Sequence, residues 1–63
     1  MKEKLFAKCA ENEYMMKLLG DSDIGKRYTC RWVVLYDLIM DCDMVEEYSH
    51  FYTKYKMEQE SNS

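Results

Sequence analysis

Cys9, Cys30, Cys42 and His50 are the side chains best suited to bind a soft metal or act as nucleophiles. Structural zinc sites draw their ligands in close pairs, because two donors on one knuckle arrive with the right geometry. No Cys-x-x-Cys or His-x-x-x-His pair occurs here. The cysteines also fall within or beside apolar stripes, where a reduced thiol packs as a small hydrophobe. Their odd count and wide spacing do not suit a disulfide scaffold. No metal is expected.

Glu47 and His50 have the i, i+3 spacing that di-iron helical bundles use, but such a site needs two copies of the motif facing inward. On a helix both residues point away from the apolar stripe beside them, towards water. Asp37, Asp41, Asp43, Glu46 and Glu47 form an acidic cluster. They depart from the calcium-loop pattern, which would need Asp or Asn at Val45 and Gly at Glu46. The chain has one histidine, no glycine-rich phosphate loop, and no serine or cysteine placed beside a base. No catalytic residue and no cofactor are therefore expected, and the chain reads as a non-enzyme.

The elements carrying these groups are expected to be helical. From about Lys2 to Leu19, Leu5, Cys9, Met16 and Leu19 recur at helical spacing with Asn12 between them, and Phe6 and Met15 widen the stripe. Glu3, Lys4, Lys8, Glu11, Glu13 and Lys17 surround it as a solvated, mixed-charge face would. Gly20 is a left-handed stop, and Asp21, Ser22 and Asp23 are all good N-caps for the next helix.

The second helix, about 23–40, places Ile24, Tyr28, Trp32, Leu35, Tyr36 and Ile39 on one broad face. Val34 and Leu38 intrude on the charged side. A helix apolar over more than half its circumference is expected at the centre of the fold. The alternation through Tyr28–Tyr36 also suits a strand, but a strand here would have to pair across a dimer.

The third helix, about 43–60, opens on Asp43 and Glu46 in capping-box form. It carries Met44, Val45, Tyr48, Phe51, Tyr52 and Tyr55 on one stripe. With no proline or glycine between Lys26 and Glu60, the second and third segments could run on as one long helix, but the Asp41-Cys42-Asp43 stretch favours a break. Residues 58–63 are expected to fray.

The expected fold is all-α, a small three-helix bundle or helical hairpin within one domain spanning residues 1–63. Its 63 residues are 48% hydrophobic and 14% aromatic, more than one small core requires, so self-association as a dimer should complete it. The net charge of −3 disfavours a general nucleic-acid binder. No apolar run is long enough to span a bilayer. The first residues have a positive start without an apolar stretch behind it, so a cytoplasmic location is expected.

The expected function is a small protein-binding regulator, adaptor or inhibitor. Tyr48, Phe51, Tyr52 and Tyr55, with Trp32 and Tyr36, are the expected partner-binding residues, because aromatic rings and thioethers are enriched at interfaces. Two alternatives remain. One is a helix-turn-helix-like nucleic-acid regulator using Lys26, Arg27 and Arg31 beside Tyr28 and Trp32. The other is an acidic inhibitor whose cluster at Asp37, Asp41, Asp43, Glu46 and Glu47 occupies a basic groove.

Overall fold

The computed structural model describes residues 2–62. Among the described residues three helices make up an all-α fold: α1 (Lys2–Leu19), α2 (Asp23–Asp41) and α3 (Val45–Ser61). Residues 28–36 are helical throughout, and no strand occurs among the described residues. None of these helices is long and apolar enough to cross a membrane.

Two short connections set the geometry. Gly20 ends α1 at φ 60°, the left-handed region that a side chain disfavours. Ser22 then caps α2, accepting the Gly25 amide at 3.0 Å. Gly25 itself is buried at the corner, and a Cβ there would stand 2.3 Å from the Gly20 carbonyl oxygen. Only the absence of a side chain lets α2 begin so close to the end of α1.

The second connection corrects the expected capping box. Asp43 has φ 57° and terminates α2 instead of starting α3. Its amide donates to the Met40 carbonyl and the Met44 amide to the Ile39 carbonyl, both at 3.0 Å, which is the Schellman arrangement. A left-handed residue cannot also adopt the extended conformation of an N-cap. Met44 holds that position without a side-chain hydrogen bond, and Glu46 and Glu47 instead place negative charge in the first turn.

At the other end, α3 continues past residue 58, where the tail was expected to fray. It runs through Ser61, with Gln59 half-buried in register with the inner stripe and the Asn62 amide bonded to the Glu58 carbonyl. Ser63 lies outside the described residues.

The central helix is α1, not α2. It packs along α2 as a hairpin and also meets α3, while the backbones of α2 and α3 approach less closely. Those two helices join through side chains such as Tyr36 and Tyr48, whose ring centroids lie 5.8 Å apart. The buried core is Phe6, Cys9 and Ala10 of α1, Ile39 of α2 and Tyr48 of α3. Large rings hold α3 off α1: Phe6 meets Tyr48 and Phe51 at ring-centroid distances of 5.7 and 5.6 Å, and Tyr14 meets Tyr55 at 6.2 Å. With α1 between its neighbours, much of α2's wide apolar surface is left without a partner.

Candidate functional site

Two features could bear function: a buried carboxylate that all three helices share, and the outward flank of α2. Glu13 was expected on α1's solvated face, yet it is buried, and its side chain is only 11% exposed. Its Oε1 accepts two hydrogen bonds, from the Tyr48 hydroxyl at 2.7 Å and from Trp32 Nε1 at 3.0 Å. Its Oε2 pairs with Lys17 Nζ at 3.0 Å, one helical turn away. The same ammonium lies 4.9 Å from the centre of the Tyr52 ring.

The cluster is thus one anion held by donors from α1, α2 and α3. Beside it, Trp32, Tyr36, Tyr48 and Tyr52 line a hollow of about 230 Å³. A carboxylate within aromatic walls has the chemistry to bind a cation, but Lys17 already takes that position. Trp32 and Tyr36 also stack on each other at 4.8 Å, so one face of each ring is used internally. The cluster reads as a clasp that fixes the helices, not as a ligand site.

Burial of the clasp shifts its proton affinities. The Tyr48 phenol is pushed well above its ordinary range, chiefly by burial and then by the Cys9 thiol and Glu13 carboxylate beside it. The Cys9 thiol is also raised, again mainly by burial. Both groups are held neutral in the fold, so their contribution to stability is complete below the pKa each has when unfolded, about 8.5 for Cys and about 10 for Tyr. Above those values the unfolded chain loses protons that the folded chain keeps, and stability falls. Denaturant titrations should show a loss that begins near pH 9 and steepens above 10. Tyr48→Phe should be less stable at neutral pH, by about 1–2 kcal/mol, with a shallower alkaline loss. An equally steep loss in that variant would mean that other groups govern it.

The six expected partner-binding residues are largely turned inward. Tyr48 is buried in the core, while Trp32, Tyr36, Phe51, Tyr52 and Tyr55 are half-buried and packed against it. The stripe forms the inner wall of α3 and the adjoining face of α2. All five acidic-cluster residues are exposed, and Glu47 forms an ion pair with Lys2. Cys30, Cys42 and His50 are exposed and Cys9 is buried; no group of three or more such ligands is gathered for a metal among the described residues.

The open apolar surface lies where Val34 and Leu38 broke the polar side of α2. Val34 is 63% exposed, Leu38 48% and Ile24 58%. Val34 and Leu38 share one outward flank with Arg27 and Arg31 by helical spacing. Ile24, expected on the inner face with Tyr28 and Leu35, is instead left exposed at the start of α2, ten residues before Val34. Between this flank and α1 runs a groove of about 530 Å³, with Lys8 and Glu11 on one side, Cys30, Arg31 and Val34 on the other, and Asn12 and Leu35 below. Val33 and Met40 add exposed apolar area on the far border of α2.

Sequence reasoning missed Glu13, although a signal was present. It follows Phe6 by two helical turns and precedes Met16 by three residues, so it sits within the apolar stripe rather than outside it. The outward flank was visible as a disturbance of the polar face, but its function as open surface depends on which helix becomes central. No known family model matches the chain, and neither a curated protein nor a solved structure matches it.

Proposed function

We propose that this chain is a non-enzymatic protein-binding module, of the regulator, adaptor or inhibitor kind, that docks through the outward flank of α2. The observation that carries this reading is the exposure of Val34 and Leu38, one turn apart on one side of a helix, beside a largely apolar groove. Contiguous exposed apolar surface on a small protein marks an interaction site more often than isolated hydrophobes do. The arginines at its edge suit such a surface, since Arg is enriched at interfaces. The aromatic stripe supports docking indirectly, by bracing the three helices behind the flank.

A photo-crosslinking residue placed at Val34 in cells that produce the protein tests this reading. The same probe at His50, on the outward side of α3, is the control. A discrete protein adduct from Val34 and none from His50 is the expected outcome. The absence of any adduct at Val34 would overturn the reading.

A further inference from the structure

The charges along the outward flank of α2 are segregated. Arg27 and Arg31 precede Val34, and Asp37 and Asp41 follow it. This order is unfavourable for an isolated helix in two ways. Arg27/Arg31 and Asp37/Asp41 are like-charge pairs at i, i+4, where repulsion acts within the helix. Asp41, in the last turn, also opposes the helix dipole, whereas Asp23 in the first turn suits it. Asp41 is the final residue of α2, and no basic residue lies in its last turn to offset it. All four side chains are exposed, and none forms an ion pair among the described residues.

A second α2 lying antiparallel across the first would relieve both penalties. We propose, building on the docking function above, that the partner on this flank is a second copy of the chain, related by a two-fold axis through Val34. In an isologous interface each contact occurs twice, and the axis residue meets its own copy. With the axis at Val34, Arg31 faces Asp37 of the second copy and Arg27 faces Asp41 of the second copy. Cys30 faces Leu38 in the same way. Arg27, Val34 and Asp41 recur at seven-residue intervals, as do Arg31 and Leu38, which is the spacing of a helix–helix seam. The opposed helices also bring each dipole against its reverse.

Complementary charge therefore selects the occupant: the surface that fits this flank is the flank itself, inverted. A single helix pair is a small interface, below the roughly 1,200 Å² typical of stable complexes. The dimer should accordingly dissociate in the micromolar range.

Charge reversal provides the test, read as mass by light scattering over a hundredfold range of concentration. The unmodified chain should rise from one chain mass to two. Arg27→Asp with Arg31→Asp should stay monomeric, as should Asp37→Arg with Asp41→Arg, each weakening self-association on the order of a hundredfold. An equimolar mixture of the two variants should form a dimer. Helical circular dichroism checks that both variants fold, and neither removes a core contact.

A second measurement fixes the register. Val34→Cys, with Cys30 and Cys42 replaced by serine, should form an interchain disulfide under mild oxidation. Cys30 in the unmodified chain should not, since two copies of it would lie about 12 Å apart along the helices, beyond disulfide reach. A monomer at every concentration, or a mixture that fails to restore dimerisation, would overturn the proposal. The photo-adduct at Val34 separates this failure from that of the docking function. An adduct of twice the chain mass supports both, an adduct to a different protein overturns only the second copy, and no adduct overturns both.

Discussion

Replacing Glu13 by alanine should remove roughly 3–5 kcal/mol of folding stability, because it leaves one buried and one half-buried donor unpaired. The Tyr48 hydroxyl and the Trp32 ring N–H would both lose their acceptor at once. Hydrogen bonds to a charged group contribute about 1.5–3 kcal/mol each, and a buried donor left unsatisfied costs its full desolvation. The Lys17 pair adds little to this sum, because that side chain is 59% exposed and water screens it. Domains of this size have few kcal/mol to lose, so the variant should be largely unfolded at physiological temperature. Glu13→Gln keeps an oxygen for Tyr48 and Trp32 and should cost only about 1–2 kcal/mol. Urea titration followed by helical circular dichroism measures both. A loss under about 1 kcal/mol in the alanine variant would mean that the helices are held together by ring packing alone.

Gly25→Ala should destabilise the chain by about 2–3 kcal/mol, against the direction that helix propensity gives. In an ordinary helix this exchange gains about 1 kcal/mol. Here the new Cβ would meet a backbone oxygen at 2.3 Å and the Ser22 hydroxyl oxygen at 3.1 Å. The carbonyl of Gly20 cannot swing aside as a flexible side chain would. Either the α1–α2 corner opens or α2 starts later, losing the Ser22 cap. Thermal unfolding of this variant, checked against the parent at equal concentration, gives the sign directly. A rise in stability would contradict the close approach of the two backbones.

Most of the helical architecture was legible because local rules acted alone. The inner stripe of α3 followed from the spacing of Tyr48, Phe51, Tyr52 and Tyr55, and Gly20 marked the end of α1. The readings failed where one residue had two possible duties. Asp43 is a good N-cap by type, but stopping α2 demanded a left-handed backbone and excluded that role. Glu13 is charged and flanked by charges, so composition placed it in water; Lys17 is a local partner, but Trp32 and Tyr48 come from other helices that only the folded chain brings to it.

The rank of the helices was hidden for a related reason. Apolar breadth put α2 at the centre, yet Ala10, Cys9 and Phe6 let α1 take that place between its two neighbours. The surplus on α2 thereby became an outward surface. A candidate site built from surplus cannot be read from a stripe alone, because the same residues are core or interface according to what else packs on them.

The three cysteines offer the most direct measurement of docking through α2, since their positions differ and each can be followed by its rate of alkylation. Cys9 is fully buried, Cys30 lies beside the groove and against the proposed seam, and Cys42 is exposed beyond the end of α2. In dilute solution Cys30 and Cys42 should react readily and Cys9 should not. As the protein is concentrated a hundredfold, the reaction of Cys30 should slow severalfold while that of Cys42 stays constant. If Cys30 and Cys42 keep the same ratio of rates at every concentration, the outward flank of α2 is not where this chain meets a second copy of itself.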